Sequence, residues 1–179
     1  MRFFTNIRLL LTAIWLGAAV FLSVAVAPSA FGILRAREVA GASEIAGAIV
    51  NQTLGMVNYG GLIIGAILLL SSFVATQTAN RFGVWTERFF LFVLTATCAV
   101  GQFVIGSWMA LIRLQIGKPI EEVAADDPLR LQFDALHKYS VWVLLAGIIA
   151  ALLAFFVISR KSDTTVTVGK KDEFNFDKI

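Results

Sequence analysis

The sequence predicts an all-α integral membrane protein: a bundle of four transmembrane helices with short interfacial helices in its first and third loops. Three observations predict it. Of 179 residues, 58% are hydrophobic and 15% charged, against about 45–50% and about 25% in a soluble domain. The mean hydropathy is +0.81. Four uncharged stretches, Leu9–Ala27, Met56–Ala75, Phe89–Ile112 and Tyr139–Ser159, run 19 to 24 residues each, where a helix needs about 20 to cross a hydrocarbon core. They lack period-two alternation and are about twice the length of a barrel strand, which rules out a β-barrel. The spans make residues 1–159 a single transmembrane domain, followed by a polar tail over 160–179.

Each element has its own signals. Ahead of the first span, Arg2 and Arg8 resemble the basic start of a signal peptide, and Ala25-Val26-Ala27 resembles a cleavage site. The apolar run is too long for a signal peptide, and Pro28 would directly follow the cut, so the span reads as a retained anchor. In the 28–55 connection, Ala42, Ile45, Ala46 and Ile49 share one helical face, with Ser43 as N-cap; this predicts one or two short helices on the outer interface. The 76–88 turn carries Trp85 and Arg88 as interfacial anchors. The 115–138 connection is acidic, with Glu121, Glu122, Asp126, Asp127 and Asp134. There Asp127-Pro128 reads as N-cap and first helical residue of a helix entering the fourth span. Arg130–Asp134 and Asp134–Lys138 are i,i+4 pairs along it. The tail is polar and aperiodic, and alone is expected to be disordered.

Lys and Arg set the orientation. Nine of them (Arg2, Arg8, Arg81, Arg88, Arg160, Lys161, Lys170, Lys171 and Lys178) share the side of the termini, against six on the other side. Both termini are therefore expected in the cytoplasm. Small residues four apart let helices approach closely in lipid. Such faces are Ala13-x-x-x-Gly17 on span one, Gly61-x-x-x-Gly65 on span two, and Ala146, Ala150 and Ala154 on span four. They serve packing within the chain or contact with another subunit.

The chemistry is sparse. A lone Cys98 forms no intrachain disulfide, CxxC zinc site or iron–sulfur cluster, and a lone His137 excludes a bis-histidine haem within one chain. The net charge of +3 is spread along the sequence, unlike the basic face that binds nucleic acid. No nucleophile–base pair, phosphate loop or zincin motif occurs, so no enzyme is expected. Intramembrane polar groups are costly and thus candidates for function. Asn58, Tyr59, Arg113, His137, Tyr139 and Ser140 gather near the outer ends; Asp134 lies one turn before His137, placed to orient its imidazole, and Arg113 at the same depth can pair with Asp134 or with another acid of the 115–138 loop. The competing reading is that Arg113 snorkels to headgroups and His137 is an interfacial residue. A metal held by His137, Asp134 and loop carboxylates, or a chlorin or haem on His137, rests on that single imidazole. On span three, Thr95, Cys98, Gln102, Met109 and Arg113 form a stripe, with Gln102 near the centre and expected to face protein. Cys98 and Met109 lie about 16 Å apart along a helix axis and cannot share one ion.

Trp15-Leu16-Gly17, Val26-Ala27-Pro28-Ser29-Ala30-Phe31 and Ala40-Gly41, followed by Met109-Ala110-Leu111-Ile112-Arg113 and Phe133-Asp134-Ala135-Leu136-His137-Lys138-Tyr139-Ser140, form an ordered set. It resembles the transmembrane protein 205-like family, whose bacterial branch is catalogued as a domain of unknown function. The likeness covers about residues 7–158. It implies a four-helix membrane protein of a bacterial inner membrane and makes Arg113, His137 and Ser140 signature positions.

Two functions follow as expectations. The first is a non-catalytic accessory subunit of a larger membrane complex, in contact with lipid and other membrane subunits. The alternative is a small-solute or metal-related transporter or resistance protein with the Arg113/His137 cluster at its mouth. A transporter needs a polar cavity reaching Gln102; an accessory subunit needs a face left for another chain.

Overall fold

The computed structural model describes residues 2–74 and 81–172, with side chains over 3–73 and 81–160. The chain forms helices α1 (Arg2–Phe21), α2 (Ala27–Ala36), α3 (Ala42–Val74), α4 (Arg81–Ala99), α5 (Ser107–Ile116) and α6 (Pro128–Asp172). No strand occurs among the described residues. Two π-helical segments, Leu22–Val26 and Val100–Gly106, fuse α1 to α2 and α4 to α5. The result is four rods long and apolar enough to cross a membrane, Phe3–Ala36, Ala42–Phe73, Arg81–Ile116 and Pro128–Arg160. This is an integral membrane architecture. The rods form a closed up-and-down ring in which α1 and α4 each pack against both α3 and α6.

The rods have 32 to 36 residues, about 50 Å at 1.5 Å per residue, well beyond a hydrocarbon core of about 30 Å. The surplus corrects the expected first loop. Its helical segments are present but continue the spans: α2 extends the first rod and the start of α3 belongs to the second. Pro28 does not end the first rod. A proline ring crowds the carbonyl four residues back, and the wider π turn just before it lets the helix pass, with Ala27 N–H reaching the Leu22 carbonyl. The second π segment closes around glycine, since a Cβ on Gly106 would lie 3.3 Å from the Gly101 carbonyl oxygen.

Residues 37–41 turn the chain between α2 and α3, with Glu38 and Gly41 at φ of 51° and 70°. Ile45 N–H bonds the Gly41 carbonyl, so Gly41 and not Ser43 starts α3. In the third loop a 3₁₀ turn covers Ile120–Glu122. Asp127 caps α6 as its sequence predicts, Oδ1 accepting from Leu129 N–H at 2.8 Å. Residues 160–172, expected to be disordered, are helical, as α6 continues to Asp172; extending a formed helix adds one hydrogen bond per residue. Residues 173–179 lie outside the described residues.

The core runs along the ring axis. Trp15, Ala19, Leu22, Val57, Leu94, Cys98, Ala150 and Ala151 form one buried cluster, and Leu68, Leu91 and Ala154 a second towards the termini. Large apolar side chains such as Leu10, Ile14, Ile63, Phe92 and Trp142 cover the outside, where lipid rather than water is the fitting solvent.

Candidate functional site

Polar side chains concentrate at three levels. At the end holding the termini, the Arg8 guanidinium on α1 forms an ion pair with Glu87 on α4. Arg8 also donates to the Leu68 carbonyl on α3 at 3.3 Å. Glu87 is 2% exposed, and Thr12, fully buried, donates to the Arg8 carbonyl at 2.8 Å. Beside them Arg88 donates to Ser72 Oγ at 3.3 Å and to its carbonyl at 3.2 Å, and covers the Phe73 ring at 4.0 Å. Arg88 therefore turns inward and does not simply anchor the interface; Trp85 is exposed as expected. Hydropathy and spacing alone do not single out Arg8–Glu87. Both residues border apolar runs, where charges ordinarily reach out to headgroups. The available signal was an acid and a base at equal depth on two spans.

At mid-depth, Trp15 Nε1 donates to the Val57 carbonyl at 2.9 Å. Gly61 lies against Trp15 and Cys98, and Gly65 against Thr95, so closely that a Cβ on either would overlap them. Thr95 and Thr97 return their hydroxyl protons to carbonyls of their own helix. Gln102 is half-buried in the π segment, facing α3 where a Cβ on Gly55 would lie 3.6 Å from its Oε1. A cavity of about 10 Å³ opens between Trp15, Asn58, Thr97, Cys98 and Gly147. It does not reach Gln102.

At the end opposite the termini the expected constellation is not assembled. Arg113 is half-buried, its guanidinium 5.2 Å from the centre of the Phe133 ring and against Gly47 of α3. Asp134 and His137 are exposed. Asp134 makes no ion pair with Arg113, Arg130, His137 or Lys138 among the described residues. On a helix surface those charges remain solvated, which weakens such pairs. Arg130 instead donates to the Val123 carbonyl, and Ser140 to the His137 carbonyl at 2.8 Å, leaving the imidazole out of the bond. Among the described residues no group of three His, Cys, Asp or Glu is placed to hold a metal ion.

The small-residue faces separate into two kinds. Gly61, Gly65, Ala150 and Ala154 are buried within the ring. Ala13, Gly17 and Ala146 are exposed, and a Cβ on Gly17 would meet nothing within 4 Å.

A family model described as a domain of unknown function, DUF4149, matches residues 10–118. No curated protein and no solved structure matches the chain.

Proposed function

The chain belongs to the DUF4149 family, and from that premise we propose that it is a non-catalytic accessory subunit of a larger membrane protein complex. The observation that carries this reading is the outward Ala13/Gly17 face of α1. In lipid no hydrophobic force drives helices together, and small residues provide the close approach that association needs. This face is not used by the chain's own bundle and fits an apolar helix of another integral membrane chain. The mid-depth cavity where the four spans meet fits the same reading, since at about 10 Å³ it has room for roughly one water and no solute. The finer features of the proposal are kinship with the transmembrane protein 205-like family, residence in a bacterial inner membrane, and cytoplasmic termini.

The test is purification from native membranes in mild detergent, with mass spectrometry and an absorption spectrum, of the unaltered chain and of Gly17→Leu. Stoichiometric partner chains that are lost with Gly17→Leu are expected. A colourless chain free of others overturns the reading and directs attention to transport assays on Arg113 and His137 variants; a co-eluting chromophore would make His137 a ligand candidate.

A further inference from the structure

All four rods contribute to one point. Trp15 comes from α1, Asn58 from α3, Thr97 and Cys98 from α4, and Gly147 from α6, and together they line the cavity of about 10 Å³. Asn58 is 6% exposed, and none of the side-chain hydrogen bonds among the described residues engages its carboxamide. A primary amide carries two donors and an acceptor with two lone pairs, and burying it dry in an apolar interior is strongly unfavourable.

We infer that a single ordered water molecule binds where the four spans meet, bridging the Asn58 carboxamide and the Thr97 hydroxyl. The space is about that of one water-sized sphere, and a buried water needs two to four polar partners. Thr97 already gives its proton to the Leu94 carbonyl at 2.9 Å, so its oxygen faces the water as acceptor. Asn58 supplies the second partner, as donor or acceptor. Trp15 Nε1 is committed to the Val57 carbonyl and forms wall only. Gly147 keeps the site open, since a Cβ there would lie 2.9 Å from Thr97 Oγ1. The water thus ties α3 to α4 at the depth where lipid offers no hydrogen bonds.

Synchrotron hydroxyl-radical footprinting of the full chain in detergent tests this, because radicals generated from a bound water oxidise the reactive side chains beside it. Cys98 and Trp15 are each 3% exposed and shielded from bulk radicals. Both are expected to oxidise rapidly in the unaltered chain and to fall to background in Asn58→Leu, with labelling of exposed Trp142 unchanged. Thr97→Val, close to threonine in volume, gives the same readout should Asn58→Leu not survive purification. Cys98 and Trp15 that stay unlabelled in the unaltered chain, or stay labelled in the folded variant, overturn the inference.

Discussion

Arg8 and Glu87, 79 residues apart in sequence, meet as an ion pair inside the bundle and join the first rod to the third. The pair is enclosed, with side-chain exposures of 13% and 2%, so each charge depends on the other. Breaking a buried pair by removing one partner costs about 3–5 kcal/mol, whereas replacing both by apolar residues is often neutral. Arg8→Met and Glu87→Leu should each lower the thermal midpoint in detergent, and the double variant should recover most of the loss. Additive losses would show that the two charges act separately.

Glycine positions give a contrast within one chain. Gly61→Ala forces a methyl group into Trp15 and Cys98 and should destabilise by about 1–3 kcal/mol, the usual range for overpacking. Gly17→Ala projects into open space and should fall within about 0.5 kcal/mol of the parent. Equal losses in unfolding measurements would contradict the ring geometry.

Trp15→Phe retains most of the ring but removes the bond to the Val57 carbonyl. The expected loss is about 1 kcal/mol, the ordinary net contribution of a hydrogen bond. A null result would mean that the bond to Val57 contributes nothing net to stability.

At the end opposite the termini the residues should rank by their contacts. Arg113→Ala removes the stack on Phe133 and should cost about 0.5–1 kcal/mol, as a partly exposed cation–π contact does. His137→Ala leaves the Ser140 bond intact, because the acceptor is the backbone carbonyl, and should be stable within about 0.5 kcal/mol. A large loss on His137→Ala in the unfolding assay would reveal a role for the imidazole itself.

The spans were legible because hydropathy adds up over some twenty residues and tolerates local error. The Asp127-Pro128 start of α6 was legible because a cap is local chemistry. The passage of the first rod through Pro28 was not legible, since a proline usually ends a helix and the π turn that accommodates it has no clear sequence mark. The Arg113–Asp134 pairing misled for another reason. Periodicity places residues on a helix but not that helix's rotation against its neighbours, and Arg113 turned towards Phe133 and Gly47. The same blindness applies to small-residue faces: Gly61 and Gly17 look alike in sequence, and only the packed ring shows which already has a neighbour.

The two π segments also change how insertions and deletions should behave. A π turn holds one residue more than the α turn it replaces, so the wheel of a straight α-helix slips by about 100° when drawn across it. Removing one residue inside Val100–Gly106, for example the outward-facing Val104, would let the segment relax to plain α-helix and keep Arg113 in phase with Gly47 and Phe133. The same deletion about two turns later, at Leu111, would swing Arg113 about 100° around the rod with no slack to absorb it. The first chain should keep the parent's thermal midpoint in detergent and the second should lose part of it, so that stretch of the third rod is where its length is free to vary.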